Sequence, residues 1–568
     1  MIASCRKGGA FLISDSKPEE CFAPEDFDAE ARMIGQAAED FVREELLTQI
    51  DRIEKAEEGL MKSLDRKMGE LGFTAAEVPA VYNGLDLPKP TIALIVEKLG
   101  PEPATCLTLQ AHAGLAILPL VMEGNDAQKR NYLPKLASGE WCGSFCLSEP
   151  GSGSDALGMK TRAVPAPDGK GYIVKGEKMW VTNAGFADLF TVFARMDDRI
   201  SAFLIERSFP GVTLGREEEK IGLHGSSTRR VAFEDVHVPA ENLLGEAGKA
   251  HYAALNTLNL GRYKMAASGL GTGKYALELG VQYALQRHQF GKPIADFGLV
   301  KQKVAQMTAR LFALESMLYR IGGDMNAAFH EVHHSDVTQP SATLLYRKAA
   351  SEFAAENALV KFFGTEVQHF CADESMQIHG GYGYTEDFPI AKIFRESRVP
   401  RIYEGTNEIN RINVTQGLIR RMSELGLDAA ISVSQASWPT GVMEMALDAA
   451  SRLKAVCLSV LKEAWREYGE DLKEQRQEVA AAIADLACYA LALESVALRL
   501  PKLQEKDAGE MAALIFAREA IFAAHERTDF ACQAMGLRPA FFDPPNIDSI
   551  AIGRALADKS LARGGYPF

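Results

Sequence analysis

The sequence predicts an α+β protein that is mostly α, with a central antiparallel β-domain between helical domains. Three observations support this fold class. Apolar residues recur at helical spacing over residues 27–140, and they do so again over residues 247–424 and 440–568. Between these segments, residues 141–246 contain β-branched and aromatic runs that are separated by turn signals. The expected order is an N-terminal helical domain, a β-domain, a helical bundle and an extra C-terminal helical bundle.

Length and composition exclude several classes of protein. The 568 residues are enough for two to four domains with a core each. Lys and Arg number 62 against 76 Asp and Glu, and the net charge of −14 argues against a general nucleic-acid binder. Nine cysteines without a C-x-x-C pair indicate reduced thiols. Since no run of about 18 apolar residues is present, we do not expect an integral membrane protein.

The N-terminal domain is predicted from apolar residues at helical spacing, such as Phe41, Leu46 and Ile50, with helix breaks near Pro88 and Pro101. The stretch before it is acidic through Asp15, Glu19, Glu20, Glu25 and Asp26. Because this charge is wrong for a transit peptide, we expect a bacterial-type cytoplasmic enzyme, with the mitochondrial matrix as the alternative.

Four runs in the central segment predict strands, at residues 172–182, 189–194, 201–205 and 230–238. The helical bundle that follows is expected to be interrupted around residues 330–340. The join to the Ala-rich and Leu-rich C-terminal bundle lies at residues 432–441. It contains Ser, Gln, Pro and Gly, and it is the best linker candidate.

Two short motifs fit known patterns without their required context. His330-Glu331-Val332-His333-His334 fits the H-E-x-x-H pattern of zinc proteases, but it lies in a predicted loop and no third ligand follows. Gly151-x-Gly153-x-x-Ala156 fits the dinucleotide fingerprint, but Pro150 precedes it and no βαβ unit follows. The sequence therefore predicts neither a metal site nor a Rossmann turn.

Three separated segments carry the chemistry, at residues 147–155, 178–183 and 401–408. The first two segments supply backbone groups and an aromatic side chain that could surround a flat ligand. The third places Glu404 between a Tyr and a Gly on a turn. Together, the three segments indicate a flavin site. A carboxylate on such a turn can act as a base, and a base that removes a proton from carbon needs a dry pocket and a donor for the developing oxyanion. Glu404 is the candidate base, and Gly405 leaves room for a ligand to approach the backbone. Alone, Glu404 would be interpreted as a surface carboxylate near a helix start.

The order, spacing and residue sequences of these segments resemble those of the acyl-CoA dehydrogenase family over about residues 27–417. A longer match, whose helical tail ends in Arg563-Gly564-Gly565, resembles the very-long-chain branch. The resemblance implies FAD as the cofactor and oxidation of saturated acyl-CoA to trans-2-enoyl-CoA, as in fatty acid β-oxidation. It further implies that the β-hydride passes to the flavin and that an electron-transferring flavoprotein accepts the electrons.

The resemblance also implies roles for individual residues. The expected FAD-binding residues are Phe145, Cys146, Leu147, Ser148, Gly153, Ser154, Trp180, Val181, Thr182, Arg287, Gln289, Phe290, Phe297, Gln377, Ile378, His379, Gly380, Gly381, Thr406, Asn407 and Glu408. Those from Arg287 to Gly381 are expected to reach the cofactor of a neighbouring subunit. The expected substrate-binding residues are Ser154, Asn259, Arg262, Tyr403 and Gly405. The plain alternatives are a core aromatic for Trp180 and a solvated helix face for Arg262.

Two other functions stay open, a non-catalytic scaffold or assembly protein and an acyl-CoA oxidase. In the stretch that matches the pocket floor, Ala116 and Pro119 replace glycines of the very-long-chain branch, so we expect medium-to-long straight acyl chains. Residues 424–449 match the membrane-docking segment of long-tailed relatives but contain no Lys or Arg, and membrane contact is not expected. The helical tail predicts a homodimer.

Overall fold

The computed structural model describes residues 7–425, 435–539 and 541–568, and the chain forms two compact units. The helical unit comprises Met1–Asp28, Met265–Ala327 and Glu352–Phe568. The β-containing unit comprises Ala29–Lys264 and Ala328–Ser351. Each unit is therefore assembled from segments that are distant in the sequence.

In the described chain before residue 140, seven α-helices follow one another. They are α1 (Ala29–Phe41), α2 (Ile50–Glu54), α3 (Leu60–Glu70), α4 (Lys89–Leu99), α5 (Pro103–Leu109), α6 (Ile117–Glu123) and α7 (Asp126–Ala137). A π-helical segment, Gln110–Ala116, joins α5 to α6. Helix α7 begins at a capping box in which the Asn125 and Gln128 side chains each accept the other's backbone N–H.

An eight-stranded sheet forms the middle of the β-containing unit. Its strands are β1 (Gly143–Cys146), β2 (Arg162–Pro165), β3 (Gly171–Thr182), β4 (Leu189–Met196), β5 (Arg199–Glu206), β6 (Val212–Glu217), β7 (Thr228–Pro239) and β8 (Leu243–Leu244). The order is β6-β7-β3-β2-β4-β5-β8, and β1 pairs with β4. Fully buried side chains such as Phe190, Phe203 and Val236 form the core against the sheet.

The sheet is mixed, which corrects the prediction of a purely antiparallel domain. Both β1 and β2 run parallel to β4, while the other neighbouring pairs are antiparallel. Alternation of side chains and turn signals predicts that a segment is a strand. The pattern does not give the direction of a neighbour that is far away in the chain, so the parallel pairs could not be predicted.

Helices dominate the described chain after the sheet, up to residue 425. They are α8 (His251–Gln286), α9 (Gly298–Ala328), α10 (His330–His333), α11 (Ser341–Glu352), α12 (Ala354–His379), α13 (Pro389–Glu396) and α14 (Asn407–Leu425). A two-residue hairpin of β9 (His288–Gln289) and β10 (Lys292–Pro293) lies between α8 and α9. The H-E-x-x-H motif forms the single turn α10, in which His330 stacks on His334 and His333 pairs with Asp86.

The C-terminal helices belong to the helical unit. They are α15 (Val442–Tyr468), α16 (Leu472–Gln475), α17 (Gln477–Arg499), α18 (Lys506–Ala534) and α19 (Ser549–Arg563). Of the predicted linker, residues 432–434 lie outside the described part, and residues 435–441 have no helix or strand. Two stretches, Pro103–Glu123 and Gln477–Lys502, are apolar enough to cross a membrane, but 89% of each is buried, as is usual for core helices.

The segment at residues 7–28 packs on the C-terminal helices. Lys454 Nζ donates to the Ser14 carbonyl oxygen at 3.1 Å, Arg499 pairs with Glu25 at 2.8 Å, and Lys502 pairs with Asp26 at 2.5 Å. These are contacts between residues more than 400 positions apart in the chain. Residues 7–28 therefore pack against the C-terminal helices of the helical unit. The sequence pattern did not predict this contact.

Candidate active site

The predicted base lies on a left-handed turn at the start of α14. Glu404 has a φ of 56° and Gly405 a φ of 79°, both in the region that favours glycine. The Thr406 hydroxyl oxygen accepts the Ile409 backbone N–H at 3.2 Å, which caps the helix. A non-glycine residue in this conformation is strained by about 1 kcal/mol or more, and such residues cluster at functional sites.

Two buried side chains hold the carbonyl groups of this turn. Asn410 Nδ2 donates to the carbonyl oxygens of Gly405 at 2.7 Å and Thr406 at 3.0 Å. Lys361 Nζ donates to the Gly405 carbonyl oxygen at 2.8 Å and to Asn407 Oδ1 at 3.0 Å. The Gly405 carbonyl thus accepts from an amide and an ammonium group, and the backbone of Glu404 is fixed by its neighbours.

The two predicted segments of the β-containing unit lie next to each other. The Met179 N–H donates to the Ser148 carbonyl at 2.9 Å, and the Ser144 hydroxyl donates to the Thr182 carbonyl at 2.7 Å. The structure therefore brings residues 145–148 and 180–182 together. The Cys146 side chain is an exception in one respect, because it lies buried in the core of this sheet.

Trp180 is exposed, which makes the core-aromatic alternative wrong. Its relative exposure is 57%, its φ is 56°, and it lies where the register between β3 and β7 shifts. The irregularity is a β-bulge, which re-aims a side chain away from its regular position. The next residues return to the core, since Val181 and Asn183 are buried. The bulge therefore presents a broad apolar ring on the surface of this unit, as a flat apolar ligand would require.

In the helical unit, an open groove of about 600 Å³ gathers predicted cofactor residues. Arg287, Gln289, Ile378, His379, Gly380 and Gly381 line it together with Tyr283, Tyr382 and others. Tyr283 stacks on His379 with ring centroids 4.3 Å apart. A Cβ at Gly380 or Gly381 would meet nothing within 4 Å, so open space lies over both glycines. A cation beside two bare glycine backbones suits a phosphate group.

Three predicted residues of this group lie elsewhere. Gln377 is exposed and does not line the groove. Phe290 is at the tip of the β9–β10 hairpin with a φ of 53° and 93% exposure, and its ring lies 6.0 Å from that of Phe297. Because Phe290 is almost fully exposed at the hairpin tip, its ring buries little apolar surface in this unit beyond the edge contact with Phe297.

The predicted substrate residues on α8 are buried. Arg262 is 7% exposed and Asn259 is 8% exposed, and Arg262 Nη1 donates to Asn259 Oδ1 at 2.9 Å. The alternative of a solvated helix face is therefore wrong for Arg262. Gly153 and Ser154 are exposed, and a Cβ at Gly153 would meet nothing within 4 Å.

Sequence reasoning missed the residues that support the site. Lys178, which follows the regular strand pattern, is fully buried and pairs with Glu149 at 2.8 Å. Lys361 is also fully buried, within the apolar stretch Ala358–Phe363 of α12. A lone lysine inside such a stretch is a usable signal, because lysine is almost never fully buried without a partner.

One further cluster contains metal-ligand types. Donor atoms of Asp65, His112 and Cys142 lie within 4.8 Å of one another, and all three residues are buried. His112 Nε2 is 3.0 Å from the Leu136 carbonyl oxygen, and the Gly143 N–H lies 3.3 Å from Nδ1. Burial alone would lower the pKa of His112, but the Asp65 carboxylate raises it above the ordinary value. Both ring nitrogens have protein partners, and we assign the cluster to the core.

Family models of acyl-CoA dehydrogenases match four segments of the chain. They describe the N-terminal domain at residues 28–140, the middle domain at 144–236, the C-terminal domain at 251–419 and a further C-terminal domain at 452–535. A probable acyl-CoA dehydrogenase of Bacillus subtilis (strain 168) is 40% identical over 522 residues, which are 90% of this chain and 87% of that protein.

Two further similarities concern the branch and the fold. The very long-chain specific acyl-CoA dehydrogenase of Homo sapiens mitochondria is 38% identical over 394 residues, which are 67% of this chain and 56% of that protein. The crystal structure of an acyl-CoA dehydrogenase complexed with FAD from Bacillus anthracis is 37% identical, covers 99% of each chain and has a TM-score of 0.92. With the matching family models, these similarities show that the chain belongs to the acyl-CoA dehydrogenase family of enzymes and resembles its very-long-chain branch with a C-terminal helical extension.

Proposed function

We propose that this enzyme uses FAD to oxidise saturated, medium-to-long straight-chain acyl-CoA to trans-2-enoyl-CoA, and that it passes the electrons to an electron-transferring flavoprotein. The main observation behind the proposal is the position of Glu404 on a strained turn within the I-Y-E-G-T-N segment. Lys361 and Asn410 both donate hydrogen bonds to the Gly405 carbonyl oxygen of this turn. A carboxylate whose backbone is fixed in this way is preorganised as a base.

The residues present fit FAD. Trp180 offers an exposed indole on the β-bulge, beside the Ser148 and Thr182 segments that are expected to line the ring. Arg287 and the bare backbone of Gly380 and Gly381 suit a diphosphate. We propose that this groove takes the diphosphate and adenine end of the cofactor of a second copy, which makes the enzyme a homodimer. The Bacillus anthracis relative is complexed with FAD.

In the proposed reaction, the Glu404 carboxylate takes the proton from the α-carbon of the thioester. FAD, when bound, would supply the acceptor for the hydride that leaves the β-carbon, and the electron pair of the broken Cα–H bond would form the new double bond. The Glu404 backbone N–H is proposed to donate to the thioester oxygen, where negative charge develops. The resemblance to the family assigns Tyr403 and Gly405 to the acyl group and Arg262, Asn259 and Ser154 to the CoA moiety.

The preference for medium-to-long chains is supported by a cavity in the β-containing unit. Its lining includes the apolar or small residues Phe73, Ile92, Val96, Ala113 and Gly114 and the charged residues Glu77 and Lys264. Glu77 accepts hydrogen bonds from Lys264 and from Lys89, and all three residues are buried. Burial alone would raise the pKa of Glu77, but the two ammonium groups lower it to about 2. An alkyl chain cannot extend past a buried ion pair without separating it, so we propose that the pair limits chain length.

Anaerobic titration of the FAD-loaded enzyme with acyl-CoA tests the function. We expect the flavin absorbance to bleach, and we expect Glu404→Gln to retain FAD and bind acyl-CoA without bleaching. An enzyme that holds FAD but does not bleach with any acyl-CoA supports the scaffold alternative. Oxygen consumption with acyl-CoA alone supports the oxidase alternative.

We also propose that the enzyme works in the cytoplasm without membrane contact. Residues 424–449, the segment that corresponds to membrane-docking stretches, contain Glu424, Asp428, Glu444 and Asp448 but no Lys or Arg. Because anionic lipids attract basic segments, an acidic one does not bind them. Co-flotation with vesicles of anionic phospholipid contradicts this proposal.

A further inference from the structure

Lys361 is a buried ammonium group that contacts the turn of the proposed base. It lies on α12 with a relative exposure of 0%, and it donates to the Gly405 carbonyl at 2.8 Å and to Asn407 Oδ1 at 3.0 Å. The two acceptors are one and three residues beyond Glu404. Burying an ammonium group is costly unless hydrogen bonds compensate it, and these two acceptors offset part of that cost.

The contact of Lys361 is part of a larger network that joins α12 to the start of α14. Asn407 Nδ2 donates to Glu366 Oε1 at 3.1 Å, and Glu366 pairs with Arg411 at 2.8 Å. Arg411 in turn pairs with Asp485 on α17 at 2.7 Å. The first turn of α14 is therefore fixed to two other helices, and Lys361 is the member that reaches the backbone beside Glu404.

The Gly405 carbonyl has two donors of different strength. Asn410 donates from a neutral amide at 2.7 Å, and Lys361 donates from a charged group at 2.8 Å. Charge-assisted hydrogen bonds are roughly twice as strong as neutral ones. A strained residue such as Glu404, with a φ of 56°, persists only when the surrounding structure over-determines it. Loss of Lys361 would leave the Asn410 contact, so the turn would remain but would be less tightly fixed.

We propose that Lys361 is a positioning residue for the dehydrogenation proposed above, on which this inference rests. Its ammonium group holds the Gly405 carbonyl and thereby keeps the Glu404 backbone in the left-handed conformation from which the carboxylate reaches the α-carbon. It takes no proton in the reaction. Its effect is on the geometry of proton abstraction, where a displacement of about 1 Å costs roughly 100-fold in rate.

The test compares Lys361→Met, Lys361→Arg and the matched control Lys454→Met in the FAD-loaded enzyme. Lys454 is a second buried lysine of the helical unit, and it pairs with Glu494, which also contacts Arg320. We expect the Met variant at 361 to slow anaerobic flavin reduction by roughly 100-fold, while FAD content and the acyl-CoA dissociation constant change less than about threefold. Lys361→Arg should restore part of the rate, and the control at 454 should reduce at the wild-type rate.

Hydrogen–deuterium exchange gives a readout that does not need activity. Peptides that cover residues 404–410 should exchange faster in Lys361→Met than in wild type or in the control. Unchanged exchange, or a reduction rate within threefold of wild type, overturns the proposal. If Lys361→Met does not fold, Lys361→Gln keeps a neutral donor in place of the ammonium group, and a wild-type rate with unchanged exchange in that variant overturns the proposal equally. If the flavin of the wild-type enzyme does not bleach with acyl-CoA, the proposed function is contradicted. If it bleaches and the Lys361→Met variant is reduced at the wild-type rate, only this inference is contradicted.

Discussion

Lys178 Nζ donates to Glu149 Oε1 at 2.8 Å, and this pair is buried where the two segments that the sequence predicts to bind the flavin meet. Lys178 also donates to the Leu147 carbonyl at 3.0 Å. Glu149 accepts the backbone N–H groups of Lys160 and Thr161 as well. Burial alone would raise the pKa of Glu149, but the Lys178 ammonium group lowers it, so the carboxylate is ionised at neutral pH. The pair therefore fixes residues 147–149 to the strand that carries Trp180.

Substitution of Lys178 by Met should destabilise the protein by about 3 kcal/mol, because Glu149 would remain buried without its ammonium partner. The matched control is Lys175→Met on the same strand, since Lys175 pairs with Asp235 and both side chains are well exposed, at 71% and 65%. An exposed pair contributes about 0.5 kcal/mol or less. Thermal melting of both variants measures the difference, and equal melting temperatures would contradict the assigned role of the buried pair.

Trp180→Ala should weaken FAD binding with little loss of stability. Its side chain is more than half exposed, so its removal leaves no cavity in the core. We expect the variant to melt within a few degrees of wild type after both are stripped of FAD, and to retain at least tenfold less flavin after dialysis. Trp141→Ala is the control, because Trp141 packs on Tyr132 and Lys135 instead of standing on the bulge. Equal flavin retention in Trp180→Ala and wild type would contradict the placement of FAD.

Lys264→Met should shift the substrate preference toward longer acyl chains, because an apolar side chain would replace a charged one in the lining of the cavity. Lys89→Met is the matched control, since Lys89 also donates to Glu77, at 3.0 Å, but does not line the cavity. The ratio of kcat/KM for long to medium chains should rise by about tenfold in the first variant and stay unchanged in the second. The same shift in both variants would show that the cavity does not set the chain length.

Glu356→Gln should stabilise the protein above pH 7. Glu356 is buried on α12 and accepts the Gly9 backbone N–H at 2.5 Å. Burial raises the pKa of this carboxyl to about 7. Because the folded state holds the proton more tightly than the unfolded chain, the stabilising contribution is complete below about pH 4 and is lost as the pH rises through about 7. The loss amounts to up to about 3 kcal/mol.

Melting curves between pH 5 and 9 test this prediction. We expect the Gln variant and wild type to melt alike at pH 5 and the variant to melt higher at pH 9. Glu352→Gln is the control, because Glu352 accepts the neighbouring Gly8 N–H at 3.0 Å but pairs with Arg421 at 2.9 Å. That variant should not gain stability at high pH. A wild-type profile that is as flat as that of Glu356→Gln would contradict the prediction.

Much of the fold and the family could be predicted from the sequence. The periodic spacing of apolar residues in a helix or a strand involves only residues that are close together in the sequence. It can therefore be detected without knowledge of the fold. The segments around Ser148, Trp180 and Glu404 were recognisable for the same reason, since each is a continuous stretch. The structure confirms the mostly helical fold with a central sheet, and the comparisons confirm the family.

Only the tertiary structure shows which hydrogen bonds and ion pairs fix these segments in place. Lys361 and Gly405 are separated by 44 residues, Lys178 and Glu149 by 29, and Lys264 and Glu77 by 187. The parallel direction of β1 and β2 against β4 also depends on distant pairing. The sequence by itself determined the local elements and the candidate base, because these depend on near neighbours. The contacts of the buried residues Lys361, Lys178 and Lys264 formed only through folding, because an ammonium group is buried only where distant acceptors meet it.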